Sequence, residues 1–334
     1  MSQALIELGL FAAKSLIIIF FIFVILIAFF VLLAKAKDKL KGRMTIKNLN
    51  KKYAETSEEL LAEILPKNLF KKFLKDEKAK EKELKKSDKK PASVYVLTFQ
   101  GDIKASAVSA LREEVTAILN IASSSDEVIL RLESAGGMVH AYGLAAAQLM
   151  RFRQCNIPVT VTVDKVAASG GYMMACVANK ILAAPFSIIG SIGVVVQLPN
   201  FHRLMKEKQI DYELQTAGEY KRTITMFGEN TNEGREKLQE EIETIHQDFK
   251  NLITTYRKNI DINKIATGEH WLGQQALALN LVDEIKTSDD YLLERSKEAT
   301  LYEICYETKK PLLERIGAGV KSVIRSVTSL GVME

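Results

Sequence analysis

One serine stands out for its surroundings. Ser169 lies in VTVTVDKVAASGGYMMACVA, where an apolar strand-like run gives way to a small-residue helix pattern. A serine hydroxyl is a poor nucleophile unless a base takes its proton, so its neighbours decide what it can do. Gly170 and Gly171 follow it, and glycines let a ligand's backbone approach closely. A helix beginning there would aim free N–H groups and the positive end of its dipole at a developing oxyanion. The competing structural role is a tight helix start with Ser169 as N-cap.

Two further glycine-flanked junctions follow strand-like runs: LESAGGMV, with Gly136 and Gly137, and GSIGVVVQ, with Ser191. Together they outline one groove lined by backbone. Candidate bases are few. His202 is the first histidine after Ser169 and sits in the helical-looking NFHRLMKEK, where a surface role suits it. A lysine with a depressed pKa can also serve as general base. Lys165, four residues before Ser169, and Lys221, in TAGEYKRT, are both open on chemical grounds.

Around these residues the chain alternates. SVYVLTFQG, EVILRLE and IPVTVTVD read as strands, and KILAAP and SIGVVVQ as extended. VSALREEVTAILNIA, GMVHAYGLAAAQLMRFR and ASGGYMMACVA read as helices. Such alternation predicts βαβ units in an α/β layered fold. TAGEYKRT reads as a turn after another strand. A helix is expected from about residue 231 to 259, with Leu238, Ile242, Ile245, Phe249, Leu252 and Tyr256 on one stripe. Asn280 falls where a left-handed helix end is wanted.

The N-terminal part differs. Residues 16–34, LIIIFFIFVILIAFFVLLA, carry no charge and as a helix would span about 28 Å, which predicts a retained membrane anchor rather than a cleaved leader. Residues 35–90 hold 19 Lys/Arg against 10 Asp/Glu and read as a lysine-rich spacer, helical or disordered, whose lysines can touch anionic lipid heads. The lysines after the apolar run would place its C-terminal side in the cytoplasm. The whole chain carries +5, so residues beyond 90 are net −4, which argues against a nucleic-acid-binding domain. Three scattered cysteines and four unpaired histidines predict neither a disulfide framework nor a metal site, and no cofactor is expected.

DKVAASGGYMMACVANKI, GSIGVV, TAGEYKRT and ATGEHWLGQQALALNLVDEI together resemble the signal peptide peptidase A family of membrane-bound serine peptidases, closest to its SohB-type branch. The resemblance implies a Clp-peptidase/crotonase-like α/β fold of repeated ββα units, preceded by one transmembrane helix and a charged spacer. It divides the chain into an anchor (1–34), a spacer (35–90), a serine peptidase domain (91–300) and an amphipathic C-terminal extension (301–334). It implies a Ser–Lys dyad with Ser169 as nucleophile and Lys221 as base, Ser191 orienting the lysine, and backbone oxyanion donors at Gly136, Gly137 and Gly170. The family's strand-end loop usually reads SPGG, whereas this chain has Ala135 in place of the proline. Apolar peptide substrates, a homo-oligomeric ring and a single-pass location in the bacterial inner membrane are further expectations. Family relatives keep the catalytic domain outside the cytoplasm, opposite to the charge rule. Two other readings compete: a crotonase-type acyl-CoA enzyme and a non-catalytic membrane scaffold.

Overall fold

A computed structural model describes residues 14, 16, 19–24, 26–27, 42–86 and 92–307. Residues 46–305 form one compact unit, separate from residues 1–45 with 306–334. The compact unit is built on a parallel sheet. The strands of the described residues are β1 (Arg43–Asn48), β2 (Ser93–Gly101), β3 (Glu127–Ser134), β4 (Val159–Val163), β5 (Val166–Ala168), β6 (Lys180–Ala183), β7 (Ile188–Gly190), β8 (His270–Leu272), β9 (Glu284–Ile285) and β10 (Thr300–Glu307). From β10 the main sheet runs β10-β2-β3-β4-β6-β9, with every one of these pairs parallel. The apolar runs in β3 and β4 have the composition of strands covered on both faces.

The helices are α1 (Leu49–Ile64), α2 (Lys67–Lys86), α3 (Val108–Leu119), α4 (Val139–Gln154), α5 (Gly170–Ala175), α6 (His202–Glu207), α7 (Asn232–Tyr256), α8 (Ile262–Ile265), α9 (Gly273–Ala278) and α10 (Ser288–Arg295). On one face of the sheet, Val94 and Val96 of β2 cluster with Ile129, Leu182 and the α10 side chains Tyr291 and Leu292. Phe99 and Tyr142 meet edge to face, 6.4 Å between ring centroids, and bring α4 against β2. The expected α/β alternation is therefore present. A small branch of the same sheet supports the catalytic candidates: β5 pairs in parallel with the end of β3 and with β7, and β7 pairs antiparallel with β8. β4, β5 and α5 form one ββα unit, and β6 and β7 repeat its two strands.

Several expectations shift. The segment read as extended in SIGVVVQ forms no strand: β7 precedes it and stops at Gly190, where Gly190 (φ 110°) and Ser191 (φ 52°) leave the extended region. No strand precedes TAGEYKRT; residues 210–216 are irregular. The stretch expected as a spacer belongs to the compact unit from residue 46 on. Leu49 is buried, and the Asn50 side chain donates to the Ser296 and Ala299 carbonyls while accepting from Leu301 N–H. The extension expected from residue 301 opens as strand β10, and residues 308–334 lie outside the described residues.

The single-pass inner-membrane placement needs correction. Among the described residues no helix is long and apolar enough to cross a membrane. Most of the apolar run 16–34 lies outside them.

Candidate active site

Ser169 is the hinge between β5 and α5, and its backbone is unusual. At φ 52° and ψ −119° it occupies a region that glycine favours and a Cβ resists. Its side chain makes no capping bond, so the N-cap role falls away. Its own N–H donates to the Gly190 carbonyl at 2.8 Å, and its carbonyl accepts from Met173 N–H at 2.9 Å. The turn is thus held at both ends, the residue is partly exposed, and among the described residues its hydroxyl has no hydrogen-bond partner.

Ser191 lies beside it. Ala168 and Gly190 are register partners in the parallel β5–β7 pair, so the serines that follow them leave adjacent strands side by side. Ser191 shares the positive φ, 52°, and its N–H donates to the Glu269 carbonyl at 2.6 Å.

The glycine loop after β3 closes over the serine. A Cβ on Gly136 (φ 88°) would lie 2.6 Å from Gly170 N, 2.7 Å from Ser169 Cβ and 2.8 Å from the Ala168 carbonyl oxygen. A Cβ on Gly137 would lie 2.1 Å from the Ile103 carbonyl oxygen, and that oxygen accepts Met138 N–H at 2.8 Å. The Gly136 N–H is taken, donating to Ser134 Oγ at 3.1 Å. Among the described residues the Gly137 and Gly170 N–H groups have no hydrogen-bond partner. Of the three backbone donors expected, two are free.

The two lysines separate clearly. Lys165 Nζ donates to both carboxylate oxygens of Glu133 at 3.1 Å, in an exposed pair. Lys221 is exposed in the turn at 217–221, where Gly218 has φ 98° and its carbonyl accepts Lys221 N–H at 3.2 Å. Among the described residues no hydrogen bond joins Lys221 to Ser169 or Ser191. The turn is carried by α7. A Cβ on Gly234 would lie 2.2 Å from the Thr223 carbonyl oxygen, and the Lys237 ammonium stands 5.0 Å from the centre of the Tyr220 ring.

A cysteine nucleophile has no support nearby. Cys176 is wholly buried, and burial pushes its thiol up to about 12. Sequence reasoning missed the residues under the glycine loop: Ser134, Tyr142 and Gly101. Tyr142 Oη lies 2.6 Å from Ser134 Oγ, and a Cβ on Gly101 would lie 2.4 Å from both. Burial raises the Tyr142 pKa above the usual tyrosine value, so the hydroxyl keeps its proton.

Residues 3–149 match the N-terminal description of peptidase family S49, and residues 151–302 match peptidase family S49 itself. A probable protease SohB of Haemophilus influenzae is 60% identical over 230 residues, covering 69% of this chain and 65% of that one, just under two thirds of its length. A probable protease SohB of Buchnera aphidicola subsp. Schizaphis graminum is 48% identical over 317 residues, covering 93% of this chain and 92% of that one. A solved membrane-bound stomatin-specific protease aligns with TM-score 0.41 and 16% identity over 61% of this chain and 84% of that one, too loosely to support a functional parallel. Two successive family segments, and 48% identity to a relative matched over nearly its whole length, make this chain a member of peptidase family S49.

Proposed function

We propose that this chain is a serine endopeptidase that cleaves apolar peptides with a Ser169–Lys221 dyad, on a fold of the Clp-peptidase/crotonase-like kind. The observation that carries the reading is the Ser169 backbone: a partly exposed hydroxyl is held on a strained strand-to-helix turn, with an unengaged N–H at Gly170 behind it. Strained backbone of this kind clusters at active sites. In the proposed cycle, the Lys221 side chain takes the Ser169 proton and the oxygen attacks the scissile carbonyl. The amides of Gly170 and the Gly136–Gly137 loop hold the oxyanion. The lysine then protonates the leaving amine, and water repeats the sequence on the acyl-enzyme. Ser191, on the neighbouring strand end, orients the lysine. The step this proposal requires is docking of the exposed 217–221 turn onto the two serines.

Exposed apolar side chains around the junctions, among them Ile103, Met138 and Val195, suit apolar extended substrates. Exposed Phe201, Leu204 and Tyr220 leave apolar surface for neighbouring copies in a homo-oligomeric ring. The half-buried N-terminal part of the α7 stripe fits the same role.

The test is intact-mass analysis after treatment with a fluorophosphonate, comparing wild type, Ser169→Ala and Lys221→Ala. A single adduct on wild type, lost in both variants, is the expected result. Folded wild type that takes no adduct would move the chain to a non-catalytic scaffold or to acyl-CoA chemistry without a covalent serine. Labelling that survives Lys221→Ala but not Ser169→Ala would keep the nucleophile and remove its base.

A further inference from the structure

Beneath the glycine loop runs a chain of hydrogen bonds whose direction is fixed by proton count. Tyr142 has one hydroxyl proton and donates it to the Asp102 carbonyl at 2.7 Å. The 2.6 Å contact between Tyr142 Oη and Ser134 Oγ therefore has the serine donating. Ser134 Oγ in turn accepts the Gly136 N–H at 3.1 Å. The order is Gly136 N–H to Ser134, Ser134 to Tyr142, Tyr142 to Asp102. Both side chains are almost fully buried, Tyr142 at 0% and Ser134 at 1% exposure, so no solvent competes for these bonds.

The same two residues also brace the other side of the nucleophile. A Cβ on Gly170 would sit 2.4 Å from Tyr142 Cγ, and one on Gly171 would sit 2.4 Å from the Ser134 carbonyl oxygen. The tyrosine ring thus backs the residue whose free N–H follows Ser169, while its hydroxyl holds the loop on the opposite side. With its N–H spent on Ser134, Gly136 fixes the orientation of the next peptide and leaves the Gly137 N–H unengaged. Ala135 gives this loop none of the stiffness a proline ring would supply, so the restraint has to come from below.

We infer that Tyr142 is a positioning residue for the oxyanion site, setting the glycine loop through Ser134 and Gly170 through its ring. The inference rests on the serine-peptidase reading, and its test separates the two. Full-length wild type, Tyr142→Phe, Ser134→Ala and Tyr172→Phe are titrated with the fluorophosphonate, and kcat per labelled site and KM are measured on a fluorogenic apolar peptide. Tyr142→Phe keeps the ring but strands the Ser134 proton. Ser134→Ala frees the Gly136 N–H. Each is expected to lower kcat per site about tenfold, less than the roughly 10²–10³ of losing an oxyanion donor outright, with KM within about twofold. Tyr172 is equally buried, and its hydroxyl donates to the Leu281 carbonyl at 2.9 Å, away from the loop. Its loss is expected to reduce stability and leave kcat per site unchanged. If Tyr142→Phe does not fold, Ser134→Ala decides alone. Wild-type kcat per labelled site in the folded loop variants, or a change confined to KM, overturns the inference and leaves the peptidase reading standing. A wild type that takes no label overturns both.

Discussion

Ser169→Gly is expected to abolish peptide hydrolysis and at the same time raise the melting temperature. The first effect comes from losing the nucleophilic oxygen: removing such a group costs about 10⁴–10⁶ in kcat where one serine carries the covalent step. The second comes from the backbone. At φ 52° and ψ −119° a residue with a Cβ stores about 1–3 kcal/mol, which glycine releases. Glycine's extra freedom in the unfolded chain offsets about 0.5–1 kcal/mol of this. A net gain of about 1 kcal/mol corresponds to roughly 2–4 °C for a unit of this size. Ser169→Ala keeps the Cβ and the strain, so it should lose activity without the thermal gain. Equal melting temperatures for the two variants would show that the turn is not strained in solution.

Gly136→Ala is expected to remove activity by a different route, with the serine and lysine both intact. The added methyl would meet backbone at Gly170 N and at the Ala168 carbonyl oxygen, as well as Ser169 Cβ. None of these can swing aside as a long side chain does. The φ of 88° adds a conformational penalty that alanine cannot avoid. The loop must retreat from Ser169. The expected result is a fall of at least about 100-fold in kcat/KM, with a loss of about 2–3 kcal/mol in stability. Gly143→Ala is the matched control. It lies inside α4, nothing stands within 4 Å of its Cβ position, and it should gain about 0.5–1 kcal/mol. Activity retained in Gly136→Ala would mean that the loop and the nucleophile do not pack this closely in solution.

What could be read from sequence was what depends on neighbours along the chain. The strand-to-helix switch at ASGGY and the left-handed Asn280 (φ 58°) at the end of α9 come from local chemistry and appear where expected. Features set by distant register did not show. Gly101 and Ser134 are partners across β2 and β3, and only that pairing puts Tyr142 under both. Nothing along the chain marks Gly101 as a packing glycine rather than a strand end. The Lys165–Glu133 pair was equally hidden, since it joins the end of β3 to the bend between β4 and β5. The short strand β7 comes before the extended-looking Ile192, Val194 and Val195, because the backbone turns at Gly190 and Ser191. Asn50 was hidden in a lysine-rich stretch, since its partners lie near residue 300.

The sheet edge beside the two serines carries one more consequence. Trp271 of β8 is the register partner of Ile189, and a Cβ on Gly190 would lie 2.8 Å from its ring. It is the chain's single tryptophan. The indole therefore rests on the strand that ends one residue before Ser191, and is half exposed to whatever lies along it. The protein carries its own fluorophore at the proposed cleft. Excitation of the indole reports from this one place, so a shift in its emission on adding an unlabelled peptide would read occupancy directly, without a dye and before any bond is cut.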